Sequence, residues 1–277
     1  MFIIINRVEV YMNREILNEY RDKDDKLLLA QILDKIELCE NKNKIEYTDF
    51  LDMAQSELVQ KFINKIKIEN YLIYGGFEEA ERKRFVIYPE KFNMDVVKKN
   101  LSNIVQIIRI QLPDDLKGKY THREYLGAVI KLGVKREKVG DIIVDNDGAD
   151  IIIDKDISKF LEQNLGELTR FSKSTITVEN IEKLRPVHIK KEELEIIVSS
   201  LRLDNIISEL ARCSRNKALD IINMERVFIN FQNETKKTKQ IKVGDMITIR
   251  GKGRFYIKEI IGQTKSGRMI IKIEKFV

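Results

Sequence analysis

Cysteine is scarce in this chain of 277 residues: there are 2, Cys39 and Cys213, far apart and in no C-x-x-C or Cys/His spacing. That excludes a disulfide scaffold and a zinc module and fits a reducing cytoplasm. Glycine (13) and proline (3) are sparse, while 43% of the residues are hydrophobic and 34% charged, which excludes a collagen-like, low-complexity or largely disordered chain. No segment reaches the roughly 18 uncharged apolar residues of a membrane helix. The apolar start from Phe2 to Ile5 is broken by Asn6 and Arg7, so neither export nor membrane insertion is expected. The two histidines, His122 and His188, have no ligand partner at helical or finger spacing, so no metal site is expected.

Charge is present in quantity and is unevenly placed. The chain holds 50 Lys+Arg against 44 Asp+Glu, a formal net charge of +6. From Lys183 to Val277 there are 21 basic against 11 acidic residues, whereas residues 1–182 carry 29 against 33. The C-terminal third therefore has the footprint of a polyanion-binding module, the alternative being a basic solvated surface.

The length fits two or three domains, and the expected fold class is α+β, multi-domain. Leu29, Leu33, Ile36 and Cys39 recur at helical spacing, as do Leu58, Phe62 and Ile66 behind an Asp52/Gln55 cap, giving a small helical N-terminal domain over residues 1–73. The composition changes at Gly75-Gly76, and Arg84 to Tyr88 alternates like a strand. Ile104 to Leu112 reads as a strand, Thr121 to Leu132 as a helix and Asp154 to Leu165 as another. A hairpin turns at Asn146-Asp147-Gly148, and Ser174 to Val178 reads as a last strand. Strand, helix, strand, strand, helix, strand is the order of the ferredoxin-like fold, shared by RNA-recognition modules, and is assigned to a central domain over residues 74–182. The paired strand aromatics of an RNA-stacking sheet are missing.

The third domain, residues 183–277, mixes strands with helices at Leu203 to Ala211 and Ser214 to Asn223. Ser214 suits a helix N-cap, yet Arg215 and Lys217 place positive charge in the first turn, where the helix dipole prefers negative charge. The pattern makes sense if an anion sits there, held by free N–H groups and two cations. Otherwise both side chains simply extend into water. Further basic clusters occur at Lys236, Lys237, Lys239 and Lys242 and at Arg250-Gly251-Lys252-Gly253-Arg254. Gly251 and Gly253 would allow a close backbone approach to phosphate, but the rest of a nucleotide-cradling loop is absent.

Several separated blocks carry a resemblance. Leu201-Arg202-Leu203-Asp204, Ser214-Arg215 with Ala218 and Ile222, Val227 to Asn230, and Val243-Gly244-Asp245 with Ile247 resemble the S4 RNA-binding domain. Glu225 stands where that domain usually has glycine. Nearly the full length resembles the YlmH-type proteins, bacterial S4-domain proteins encoded near cell-division genes. The blocks are Thr48 to Asp52, Gly75 to Arg84, His122 to Gly127, Leu132 to Asp141 and Arg250 to Arg254, with Met53 where the family commonly has proline.

The resemblance implies a cytoplasmic, non-catalytic RNA-binding protein on the large ribosomal subunit. Its partners would be ribosomal RNA and tRNA, and its role the handling of stalled translation, with no cofactor. By position it implies RNA contacts at Ser214, Arg215, Lys217, Arg250, Lys252 and Arg254. Arg202 either reaches RNA or pairs with a neighbouring acid. Arg82, Lys83, Arg84, Lys135, Arg136 and Lys138 form two basic runs in an acidic region and are candidates for a second RNA surface. A competing reading is a division-machinery interaction factor whose acidic N-terminal domain binds protein partners. Catalysis is disfavoured. Asp24-Asp25 and Asp114-Asp115 sit in charge-rich surroundings, and Asp204, although in an Arg-Leu-Asp block like that of pseudouridine synthases, reads as a helix-start residue.

Overall fold

The computed structural model describes residues 14–187 and 191–276. The Phe2 to Ile5 segment and His188 lie outside the described residues. Two compact units divide between Pro186 and Val187.

The first unit begins with a helical layer. In α1 (Lys23–Lys42), Asp22 accepts the N–H groups of Asp24 and Asp25, while Leu29, Ile32, Leu33, Ile36 and Cys39 are buried along one face. Burial pushes the Cys39 thiol up to about 11. In α2 (Met53–Lys65), Asp52 and Gln55 close the expected capping box. Met53 is the first residue of this helix, the position at which proline is favoured, so its side chain leaves the helix start intact.

A three-stranded antiparallel sheet follows, with β1 (Glu46–Tyr47) and β2 (Tyr71–Tyr74) flanking β3 (Arg84–Ile87). The sequence reading placed Arg84 to Tyr88 in the central domain. In the structure this strand completes the N-terminal sheet instead, because its alternation serves two cores. Phe85 and Ile87 pack with the helices, and Val86 packs on the opposite side with Phe50, Ile107 and Ile152.

After α3 (Met94–Leu101) come β4 (Val105–Gln111), α4 (His122–Lys131), β5 (Val139–Asp145), β6 (Gly148–Asp154), α5 (Ser158–Asn164) and β7 (Thr175–Asn180). The sheet order is β5-β6-β4-β7, antiparallel throughout. Gly148 has a φ of 149°, and a Cβ there would lie 1.9 Å from the Ile110 carbonyl oxygen, so the hairpin after Asn146-Asp147 requires glycine. One sheet face presents Ile108, Ile110, Ile151 and Ile153 to Tyr125, Val129, Leu161 and Phe171. The other presents Val105, Ile107 and Ile152 to Phe50, Val86 and Ile181. Neither face of the central strands is open. Arg185 still belongs to this unit, since its Nη1 pairs with Asp147 at 2.5 Å and its Nε with Asp150 at 3.2 Å.

In the second unit the first strand, β8 (Lys191–Val198), pairs with the last, β13 (Met269–Phe276), along its full length. Between them lie α6 (Leu203–Leu210), α7 (Arg215–Asn223), β9 (Val227–Ile229), β10 (Gln232–Asn233), β11 (Met246–Ile249) and β12 (Gly253–Gln263). The sheet order is β10-β9-β11-β12-β13-β8. Ile206, Ile207, Ala218 and Ile222 of the helices bury against Val227, Ile247, Ile257 and Ile273 of the sheet. No helix among the described residues is long and apolar enough to cross a membrane.

Candidate nucleic-acid interface

Ser214 caps α7 as expected, its Oγ accepting the Lys217 N–H at 3.3 Å. Arg215 and Lys217 are exposed in the first turn. The guanidinium tip of Arg215 is held, its Nη2 donating to Asn205 Oδ1 and lying 3.8 Å from Asp204 Oδ2. Arg202 grips the same carboxylate with both arms, Nε to Oδ1 at 3.0 Å and Nη2 to Oδ2 at 3.1 Å. One aspartate thus orients two arginines and leaves the corner net positive. Burial works against ionisation of Asp204, but the Arg202 hydrogen bond and the charges of Arg202 and Arg215 outweigh it and hold the carboxyl below its usual range.

The basic loop is brought to this corner by its backbone. The Leu203 N–H donates to the Lys239 carbonyl at 2.9 Å, the Asp204 N–H to that of Lys237 at 3.2 Å, and the Ile241 N–H to that of Leu201 at 2.8 Å. Two clusters that are separate in sequence therefore share one edge, with Arg202 bridged to Gln240 and with Lys236 and Lys237 exposed in the loop.

Arg250 and Lys252 occupy the β11–β12 turn and Arg254 the start of β12, where Gly251 (φ 81°) and Gly253 (φ 117°) take left-handed conformations that the hairpin needs. Arg250 lies over the Phe228 ring at 4.8 Å, and Arg254 over Phe276 at 5.2 Å. Arg250 also exchanges hydrogen bonds with Arg226, at the turn that ends α7, whereas Arg215 and Lys217 begin that helix. Lys252 is exposed and shares a hollow of about 340 Å³ with Arg212, Phe255 and Lys275. The aromatic supports and Arg212 were not singled out in the sequence, because only the fold brings them under these cations.

The basic runs of the first unit behave differently. Arg84 is completely buried: its guanidinium sits between the rings of Tyr47 and Phe50 at 4.9 and 4.6 Å, donates to the Ile104 carbonyl at 2.8 Å and pairs with Asp154. Arg84 is therefore not an RNA-contacting residue, contrary to the sequence expectation. Lys138 reaches Asp49 at 2.6 Å and Asp154 at 3.1 Å. Arg82 donates to the carbonyls of Val139 (3.0 Å) and Phe50 (2.8 Å), and Arg136 to those of Val139 (2.5 Å) and Gly140 (3.2 Å). Burial lowers the pKa of both, and with the charge of Arg82 beside it Arg136 comes down to about 10. Lys83 Nζ donates to the Glu78 carbonyl at 3.0 Å, and of the six cations Lys135 alone is exposed.

These blocks instead build the seam between the helical layer and the central sheet. The Phe50 N–H donates to the Glu137 carbonyl at 2.8 Å, Leu51 and Lys83 exchange backbone bonds, and Asp141 accepts the N–H groups of Glu81 (2.6 Å) and Arg82 (3.1 Å). A Cβ on Gly140 would meet Phe50 at 2.9 Å, so the seam also requires close backbone approach. Among the described residues no group of His, Cys, Asp and Glu is placed to hold a metal ion.

A mixed α/β first unit carrying a sealed four-stranded sheet, followed by a basic helix-and-sheet unit, is the class of protein defined by this geometry. Residues 24–92 match the family model described as "YlmH, N-terminal", and residues 101–185 match "Putative RNA-binding domain in YlmH", together more than half of the chain. The "Ribosome-associated protein quality control protein P2" of Bacillus subtilis (strain 168) is 28% identical over 256 residues, covering 91% of this chain and 96% of that protein. "Cell division protein ylmH from Streptococcus pneumoniae" superposes with a TM-score of 0.46 at 18% identity, over 60% of this chain and 98% of that one. The chain belongs to the YlmH family.

Proposed function

We propose that this protein is a non-catalytic RNA-binding factor of the ribosome. In this reading its second unit, an S4-type domain, docks on ribosomal RNA and tRNA of the large subunit during rescue or quality control of stalled translation. The observation that carries the reading is the corner around Asp204. It fixes Arg202 and Arg215 beside the basic loop whose Lys237 and Lys239 carbonyls bind the start of α6, while Lys236, Lys237 and, in the first turn of α7, Lys217 are exposed. Cations fixed by a shared carboxylate lose less side-chain entropy on meeting phosphates than free ones do. The name of the Bacillus subtilis relative and the description of the matched RNA-binding model support the same direction.

The reading treats the chain as three functional parts, a helical N-terminal part, a ferredoxin-like central part and the S4-type part. The strand order of the central sheet supports the second of these. The RNA contacts are assigned to Ser214, Arg215, Lys217, Arg250, Lys252 and Arg254. In the first unit only Lys135 of the original candidates keeps an exposed charge for such a role.

Lys217→Glu separates binding from folding. Ser214 with a glutamate three residues on would form a capping box and place negative charge at the positive end of α7, a gain of about 0.3–1 kcal/mol. The expected result is equal or higher stability together with weaker, less salt-dependent RNA binding. Undiminished RNA affinity in a stably folded variant contradicts the assignment.

A further inference from the structure

A hollow of about 500 Å³ on the outer face of the first unit is lined by Arg123, Gly127 and Lys131 of α4 and by Thr169 and Arg170 opposite. All five residues are exposed. Arg123, Gly127 and Lys131 recur every fourth residue and so form one stripe, with its two cations about 12 Å apart along the helix axis. Neither cation pairs with a carboxylate among the described residues. Arg170 is held in place, donating to the Glu124 carbonyl at 3.0 Å and lying over the Tyr120 ring at 5.4 Å. Glu124, the acid lining the hollow, accepts the Thr121 N–H at 2.8 Å and the Thr121 hydroxyl at 3.1 Å on Oε2, and its Oε1 lies 3.8 Å from Arg170 Nη2, so Arg170 shares its charge with this carboxylate while Arg123 and Lys131 do not.

Gly127 is the second observation. Glycine inside a helix is unfavourable, and it is usually explained by a neighbour that a side chain would strike. Here a Cβ would meet nothing within 4 Å, and the backbone is helical. Internal packing therefore gives no reason for glycine at this position, and the bare helix surface lies between two unpaired cations.

We infer that this hollow is a binding site for the sugar-phosphate backbone of RNA, with Arg123, Lys131 and Arg170 on phosphates and Gly127 admitting the strand against the helix. The inference rests on the RNA-binding reading and adds a second contact surface, remote in sequence from the Asp204 corner. The separation of the cations suits a repeating polyanion better than one small anion. The planar fork of arginine suits phosphate oxygens.

The test uses the full-length protein, a fluorescently labelled RNA stem-loop of mixed sequence, and a salt series. Arg123→Gln combined with Lys131→Gln is expected to weaken binding about tenfold and to reduce the log–log salt slope by about one per lost phosphate contact. Gly127→Gln is expected to weaken binding while raising the melting temperature, because glutamine is the better helix former. Unchanged affinity and slope in these variants, with Lys217→Glu still impaired, overturns the site and leaves the RNA-binding reading standing. A wild-type protein that does not bind the stem-loop overturns both. Displacement of the RNA by polyglutamate as effectively as by unlabelled RNA overturns the choice of partner in favour of an acidic polypeptide.

Discussion

Arg202 and Asp204 form a two-armed pair across the start of α6, with both guanidinium–carboxylate contacts between 3.0 and 3.1 Å. The pair spans only two positions in sequence, yet it organises a corner that includes Arg215 of the next helix and the backbone of residues 237–241. Asp204→Asn keeps the shape and removes the charge, so it should lower the melting temperature of the second unit. It should also weaken RNA binding, since Arg202 and Arg215 lose the carboxylate that holds them in place. Thermal melting and RNA titration of the same sample check both parts.

Arg84 and Asp154 make the corresponding prediction for the first unit. Removing one member of a buried ion pair strands the other, so Arg84→Met should cost about 3–5 kcal/mol, and Arg84→Met with Asp154→Leu should recover much of that loss. Urea unfolding of the single and double variants measures it. Burial alone would raise the Asp154 pKa, but the Arg84 charge and the bonds from Asp156, Arg84 and Lys138 hold it below its usual value. A carboxyl depressed on folding contributes stability that is complete above its unfolded value of about 3.9 and is lost as pH falls through the lower folded value. The wild-type unit should therefore lose stability on acidification below about pH 4, and the double variant should lose less.

Glu225 offers a stabilising prediction. Its φ of 55° is the left-handed conformation that glycine adopts freely. The turn geometry is thus retained without the residue that favours it. Glu225→Gly should raise stability by up to about 1 kcal/mol, read as a shift of the urea midpoint at unchanged slope.

Local chemistry was legible in the sequence. The Asp52/Gln55 box, the Ser214 cap, the Asn146-Asp147-Gly148 hairpin and the order of the central elements all depend on residues within a few positions of each other. What escaped was set by tertiary packing. Arg82-Lys83-Arg84 reads as a basic patch, but β3 is buried on both faces, and a strand that alternates into two cores turns Arg84 inward as surely as Phe85. Similarly, nothing local indicates that residues 237–241 run beside residues 201–204, or that Phe228 and Phe276 lie under Arg250 and Arg254. The N-terminal sheet was missed because β1 has only two residues and β3 joins it from across two other segments.

The most direct test of the proposed role is co-sedimentation of the purified protein with small subunits, large subunits, and large subunits carrying peptidyl-tRNA, across a salt series. The account predicts preferential retention on the tRNA-carrying large subunit, reduced by Lys217→Glu and falling steeply with salt. Equal retention on every particle, or retention unaffected by Lys217→Glu, would contradict it.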